Sequence, residues 1–423
     1  MRNMKNSGVE WIGEIPADWE LNKIGAVYDE RNTKVSDEEY APLSVTKQGI
    51  VPQLESAAKS DANDNRKLIR KNDFVINSRS DRRGSCGISE YDGSCSLINT
   101  VLKPRKNMCN AYYSYVFRSE LFADEFYRWG NGIVDDLWST KWSSMKRIYI
   151  PFPSIEEQKK IADYLDDKCG KIDAIVEKQQ GIIEKLKEYK LSIITEMVTK
   201  GSNPDVKTKD SGIEWIGDIP DDWEILKLKY CTYIRARLGW KGLKAEEYVD
   251  EGYPLLSAFN IINSKLDFTN VNYINQERYD ESPEIMLSLN DILLVKDGAG
   301  IGKCAIVKEM PLPSTTNGSL AVITTNNGLN PDFLYYYFLS NPFQKYIDRL
   351  KDGMGVPHLF QRDLREIEIA LPTENEQSRI VEFLDNETRK VDEMISIREN
   401  IIEKMNEYKK SLIYEVVTGK KEV

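Results

Sequence analysis

The sequence predicts an α+β fold written twice: two strand-rich α+β domains separated by two long helices that pair as an antiparallel coiled coil, with a pseudo-two-fold internal repeat. Three observations carry this. Ser7-Gly-Val-Glu-Trp-Ile-Gly-Glu-Ile-Pro-Ala-Asp-Trp-Glu20 returns as Ser211-Gly-Ile-Glu-Trp-Ile-Gly-Asp-Ile-Pro-Asp-Asp-Trp-Glu224. Pro153-Ser-Ile-Glu-Glu-Gln158 and Pro372-Thr-Glu-Asn-Glu-Gln377 each open a long helical segment. Beyond each opening, apolar residues recur at steps of four and three. The expected division is 1–152 for the first globular domain, 153–201 for the first helix, 202–371 for the second domain and 372–423 for the second helix. A chain with internal two-fold character suits a partner that also has two halves.

Taken in order, the helix starts are the clearest elements. Ser154 with Glu157 and Thr373 with Glu376 have the spacing of capping boxes, in which the hydroxyl accepts a backbone N–H and the glutamate reaches back. Pro153 and Pro372 stand just outside and end the preceding strands. The expected seam is Ile161, Leu165, Ile172, Ile175, Ile182, Leu186, Tyr189 and Ile193 in the first helix. In the second it is Ile380, Leu384, Val391, Met394, Ile401, Met405, Tyr408 and Leu412. Lys168, Gln179, Glu387 and Arg398 take the intervening slots, where polar residues cost stability and fix register. Gly201 and Gly419 end the helices.

Each helix of roughly 45 residues is about 65 Å long. The connection from Gly201 to Asp210 spans at most about 35 Å. A parallel pair needs the second domain to carry the chain back over the full helix length, whereas an antiparallel pair does not. The order is also cyclic, which places Met1 near Val423.

The globular stretches share a frame. Asn72-Asp-Phe-Val-Ile76 matches Asn290-Asp-Ile-Leu-Leu294 as a buried strand after a turn. Gly84-Ser-Cys-Gly-Ile88 matches Gly302-Lys-Cys-Ala-Ile306, and Ala111–Tyr115 matches Phe333–Tyr337 as a helix. Between these, Thr33–Arg70 has no likeness to Arg237–Asp280, and Arg79-Ser-Asp-Arg-Arg83 differs from Asp297-Gly-Ala-Gly-Ile301. A repeated frame with divergent loops suggests one task performed on two different targets. The repeated Trp11, Trp19, Trp215 and Trp223 read as core anchors seating each domain on the coil, because recognition residues should differ between copies.

Composition bounds the function. Of 423 residues, 41% are hydrophobic and 30% charged, which supports ordinary folded cores. No run of about 18 apolar residues and no apolar leader is present, so a cytoplasmic protein without a membrane span is expected. The cysteines (Cys86, Cys95, Cys109, Cys169, Cys231, Cys304) form no Cys-x-x-Cys pair, which favours free thiols over zinc. Net charge is −10. It is unevenly spread: 22 Lys and Arg against 21 Asp and Glu in residues 1–150, and 18 against 25 in residues 202–371. Such a chain does not grip DNA strongly alone, yet it can read bases while a partner supplies more phosphate contacts.

Catalytic motifs fail on inspection. Val295-Lys-Asp-Gly-Ala-Gly-Ile-Gly-Lys303 is not a P-loop, because Asp297 stands where the first glycine belongs and Cys304 where Ser or Thr belongs. Its third dinucleotide-loop glycine is replaced by Lys303. It reads either as a Gly-rich turn between strands or as a loop approaching a nucleic-acid backbone. His358 is the only histidine, against paired-histidine metal sites and Ser/His or Cys/His nucleophiles. No metal site or catalytic residue is expected. Gly130-Asn-Gly132, Trp138, Lys141 and Trp142 correspond to Gly353-Met-Gly355, His358, Gln361 and Arg362, just before the last strand of each domain.

These features together resemble the specificity subunit of type I restriction–modification enzymes, over nearly the whole chain. The boundary motifs are Pro151-Phe-Pro-Ser-Ile-Glu-Glu-Gln158-Lys-Lys-Ile161 and Leu371-Pro-Thr-Glu-Asn-Glu-Gln377-Ser-Arg-Ile380. Ser80-Asp-Arg-Arg-Gly84 departs from the usual glycine-rich turn. The resemblance implies two target-recognition domains reading a bipartite double-stranded DNA target, with helices that set the spacer and dock two modification subunits. S-adenosylmethionine, ATP and Mg would belong to modification and restriction subunits, with no cofactor in this chain. Residue type and loop position then single out Arg79, Arg82, Arg83, Asn99, Trp138 and Lys141 in the first domain. In the second they single out Lys296, Lys303, Asn317, His358, Gln361 and Arg362, since Arg and Lys bind guanine and Asn and Gln bind adenine. The competing classes are a self-contained methyltransferase or nuclease and a coiled-coil protein scaffold. Methylation by the chain alone would mark the first, and absence of sequence-selective DNA binding the second.

Overall fold

The computed structural model describes residues 2–53, 64–79, 82–132, 138–237, 243–298, 300–351 and 358–423. Two compact units result, Met1–Gln180 with Glu399–Val423, and Gly181–Arg398. Met1, Ser80, Asp81, Ala299 and Gly353-Met-Gly355 lie outside the described residues.

Each unit is built on the same antiparallel four-stranded sheet. In unit 1 the strand order is Cys86–Ile88, Phe74–Asn77, Asn99–Pro104, Tyr28–Glu30. In unit 2 it is Cys304–Ile306, Ile292–Val295, Leu320–Thr325, Thr232–Arg235. Asn72 and Asn290 take φ of 72° and 69° immediately before the central strand. This left-handed turn is one that asparagine tolerates better than most side chains. The helices Asn110–Arg118 and Pro331–Leu339 cover one face of each sheet with aromatic rings, among them Tyr113, Phe117, Phe333 and Tyr337, all buried. The divergent stretches fold differently: a sheet Gly93–Cys95, Arg66–Ile69, Lys34–Val35 in unit 1, and Asn272–Ile274, Tyr253–Leu256, Thr315–Thr316 in unit 2, the last pair parallel.

The long helices run Ile155–Lys200 and Glu374–Val417, followed by Gly201 and Gly419 at positive φ. Within unit 1 their pairing is antiparallel. Asp173 meets Lys409 at 2.7 Å, while Trp19 bonds Glu157 and lies against Gly419. Unit 2 repeats the arrangement: Lys190 meets Asp392 at 2.6 Å, and Ser202 N donates to Glu376. Cyclic order is visible too, since Tyr414 donates to the Ile12 carbonyl and Gly419 packs on Pro16.

Two local expectations need correction. The capping boxes are only half formed: Ser154 and Thr373 accept from Glu157 N and Glu376 N, but the glutamate side chains serve Trp19, Arg2 and Ser202 instead. Alternate seam slots are also displaced by one residue, in the same way in both helices as far as 190 and 409. Its least exposed line runs 161, 165, 169, 172, 176, 179, 183, 186, 190 and 194, and then 380, 384, 388, 391, 395, 398, 402, 405, 409 and 412. Cys169 and Thr388 are buried where Lys168 and Glu387 were expected. Ile175, Ile182, Tyr189, Met394 and Tyr408 are exposed, whereas Ile183 and Ile194 are buried. Ile161, Leu165, Ile172, Ile380, Leu384, Val391 and Leu412 keep their buried places; Leu186, Ile193, Ile401 and Met405 are half-buried. The cause is an opening step of eleven residues (161 to 172, 380 to 391) rather than seven. At about 3.67 residues per turn it matches a straight helix more closely than a heptad does. Over those first turns the helix packs on the globular core, with Ile161, Leu165 and Ile172 in that of unit 1 and Ile380 and Leu384 in that of unit 2.

Candidate nucleic-acid interface

The strands of each four-stranded sheet deliver their turns to one end, where backbone bonds tie them together. In unit 1 Thr140 N donates to the Ser78 carbonyl at 2.9 Å, Ser78 N to the Ile98 carbonyl at 3.3 Å, and Arg79 bridges to Ser139. In unit 2 Lys296 N donates to the Ser319 carbonyl at 2.9 Å and Leu359 N to the Lys296 carbonyl at 2.8 Å. Asp297 bridges to His358. The frame holding these turns includes a buried ion pair that recurs in both units, Arg31–Asp73 at 2.6 Å and Arg235–Asp291 at 2.7 Å.

Unit 1 opens there into a cleft of about 620 Å³ lined by Lys67, Arg79, Lys141 and Lys146, with Glu30 the one carboxylate among the described residues that line it. Arg79 and Lys141 are exposed into it; Lys67 is spent on Glu30 and the Asn99 carbonyl. Arg82 is exposed on the adjoining turn. Arg83 lies 4.0 Å over Tyr127 and pairs with Asp124 at 3.0 Å, while Trp138 packs tilted against the same tyrosine and donates its indole N–H to the Tyr127 carbonyl. A Cβ at Gly130 would collide with that indole, which explains the glycine. Arg83 and Trp138 therefore form a small cluster beside the cleft. Asn99 departs from expectation: it is 5% exposed inside its strand, because the ladder with Phe74–Asn77 begins at Asn99 itself, in register with Asn77. The exposed residues of that turn are Leu97 and Ile98.

In unit 2 Lys296 and His358 converge on Asp297, Lys296 Nζ at 2.8 Å and His358 Nδ1 in close contact. His358 meets Phe360 edge-on, and Arg362 lies 4.9 Å over the same ring. Gln361 donates to the Ala236 carbonyl at 3.5 Å, and Lys303 is exposed. Asn317 is half-buried and uses its side-chain oxygen to accept from Ser319 N, so its amide oxygen shapes the turn. Sequence reasoning missed Asp297, which occupies in unit 2 the position Arg79 holds in unit 1. The signal was present in the match of Arg79–Arg83 with Asp297–Ile301, but only the paired bridges show that the two side chains stand in equivalent places.

Gln158 and Gln377 are buried and explain the repeated Glu-Gln. Gln158 accepts from Cys109 N at 2.8 Å and donates to the Pro153 carbonyl. Gln377 accepts from Asn330 N at 2.7 Å and donates to the carbonyls of Pro372 and Gly328. Each clamps the start of a long helix to the loop that precedes the aromatic helix. Trp19 and Trp223 are buried against the helix ends, Trp11 is buried on Phe122, and Trp215 is half-buried on Tyr346. All six cysteines are free, and burial pushes the Cys86 thiol up to about 12. No helix among the described residues is long and apolar enough to cross a membrane.

A doubled frame, long helices opened by a Glu-Gln clamp, and divergent turns gathered at one sheet end define a two-headed recognition protein. The chain belongs to the family described as type I restriction modification DNA specificity domain, which it matches twice, over residues 16–188 and 220–407. It is 26% identical over 422 residues to the type I restriction enzyme MjaVIII specificity subunit of Methanocaldococcus jannaschii, covering 96% of this chain and 93% of that one. It is 23% identical over 261 residues to the EcoBI specificity subunit of Escherichia coli, covering 61% and 53%. The fold matches the HsdS subunit from Thermoanaerobacter tengcongensis, with a TM-score of 0.51, 16% identity and coverage of 96% and 98%. A chain from a structural study of type I R-M complex assembly and conformational transition matches at a TM-score of 0.72, with 14% identity and coverage of 95% and 98%.

Proposed function

We propose that each globular stretch, 1–152 and 202–371, reads one half of a bipartite double-stranded DNA target, and that the long helices set the spacer between the halves. The chain selects the site. Methylation of an adenine amino group, ATP-driven translocation and cleavage belong to modification and restriction subunits, which bring S-adenosylmethionine, ATP and Mg in a cytoplasmic complex. The observation that carries this reading is the pair of equivalent turn clusters with opposite character, Arg79 in a cationic cleft and Asp297 between Lys296 and His358. Arginine binds guanine bidentately and an acid accepts from the cytosine amino group, so one frame can read two different half-sites. The exposed cations Arg79, Arg82, Lys141, Lys303 and Arg362 supply base and phosphate contacts, with His358 and Gln361 at the edge of the second cluster.

Docking of two modification subunits on the helices draws support from their exposed apolar side chains, Ile175 and Tyr408 in unit 1 and Ile182, Tyr189, Met394 and Ile397 in unit 2. Partner subunits covering such residues would also supply the phosphate contacts that a chain of net charge −10 lacks. The test is to map methylated adenines in the host genome with and without this gene. A two-part motif that vanishes with the gene is expected, and Arg82→Ala should relax one half of that motif only. Unchanged methylation on deletion would end the proposal; an unchanged motif in the variant would remove Arg82 from the reading surface.

A further inference from the structure

Phe259 is 92% exposed, far more than any other large apolar side chain among the described residues. It stands on a one-turn segment, Ala258–Asn260, whose backbone is fixed on both sides. The buried Asn260 accepts from Ser257 N at 2.9 Å and from the Ser257 hydroxyl at 3.0 Å. Its amide nitrogen donates to the carbonyls of Asn270 at 2.9 Å and Asp267 at 3.3 Å. Ile261, two residues on, is buried. A mobile loop would fold such a ring back onto the protein; this one holds it out in a fixed direction.

The place of the ring identifies its partner. The chain reaches it from Leu256, whose carbonyl accepts from Asn317 N at 2.8 Å. The turn at Asn317 is in turn bonded through Ser319 to Lys296. Phe259 therefore stands at the same sheet end as the turn cluster proposed to read bases in unit 2. Close by in the chain, the half-exposed Ile262 is in register with Lys265, which is exposed and pairs with Asp392 of the second long helix at 3.8 Å. An isolated exposed ring at the sheet end that carries the turns proposed to read bases suits a base stack. Aromatic rings stack on any base, and apolar side chains inserted at a base step unstack it.

We propose that Phe259 is an apolar wedge that packs into the base stack of the half-site read by unit 2. The inference rests on the DNA-reading function proposed above and deepens it. Among the described residues unit 1 has no counterpart, because Thr33–Arg70 and Arg237–Asp280 are unrelated in sequence and their sheets differ in order and direction. The distortion is therefore expected in one half-site only.

The experiment uses the complex assembled with its modification subunits and duplexes carrying 2-aminopurine in either half-site, placed away from the methylated adenine. With the unaltered protein, fluorescence should rise on binding in the unit 2 half and stay flat in the other. Phe259→Ala should abolish the rise and weaken binding roughly 10-fold or more, the scale of one lost base–aromatic stack. Phe259→Trp should keep both, and both variants should melt as the parent does. An unchanged rise and affinity in Phe259→Ala would overturn the wedge while leaving the DNA-reading function intact. Failure of that variant to assemble without DNA would overturn it in favour of a protein contact. If the unaltered complex selects no sequence, the wedge and the proposed function both fall.

Discussion

Asp73 and Asp291 each follow a left-handed asparagine, and each holds an arginine from the end of the strand two places away in the sheet. The Asp291 side chain is fully buried and that of Arg235 nearly so. It also accepts from Ser288 N at 2.8 Å and from the Thr324 hydroxyl. Removing one member of such a pair leaves an uncompensated charge, which costs far more than the pair itself contributes. Asp291→Ala is accordingly expected to lose about 3–5 kcal/mol, measured by denaturant unfolding followed through tryptophan fluorescence. A variant within about 1 kcal/mol of the parent would show that the arginine finds water instead. This pair was not legible in the sequence, because Arg31 and Asp73 are 42 positions apart, and Arg235 and Asp291 are 56 apart. Nothing local marks either as the other's partner. Asn99 misled for the opposite reason: residue type suggested a base reader, while the ladder with Asn77 draws it inside.

At the scale of elements, the two helices, the residues that open them and their antiparallel sense are legible in the sequence, because apolar spacing and connection length can be read along the chain, whereas the glutamate half of each capping box is not formed. It left the seam ambiguous by one position, because apolar residues sit side by side at 175–176, 182–183, 193–194, 394–395 and 401–402. Packing on the globular cores decides between them through the eleven-residue opening step. The choice has a measurable consequence at 182 and 183. Ile183 is 6% exposed and Ile182 36% exposed. Ile183→Ala should cost roughly 2–5 kcal/mol, as a buried aliphatic truncation does. Ile182→Ala should cost less than about 1 kcal/mol. Thermal melts of the two variants separate the alternatives, and the reverse ranking would restore the heptad seam.

For the whole molecule, the proposed spacer function turns on helix length. Each long helix is one uninterrupted element, 46 residues in the first and 44 in the second. Removing one heptad from both at paired levels keeps the seam in phase and shortens the rods by roughly 10.5 Å at 1.5 Å per residue. At 3.4 Å per base pair, that is about three base pairs of spacer. The two polymers do not rotate alike, however. Seven residues are close to two whole turns of helix, whereas three base pairs turn duplex DNA by roughly 100° when a full turn takes about 10.5 pairs. The shortened protein should therefore prefer a spacer about three pairs shorter and methylate it more slowly than the parent methylates its own, since the DNA must twist to present both half-sites. Methylation rates across substrates of graded spacer length measure both effects. A preference that stays at the parental spacer would show that something other than the helices sets the separation. A shifted preference at full rate would show that the heads turn freely on their helices.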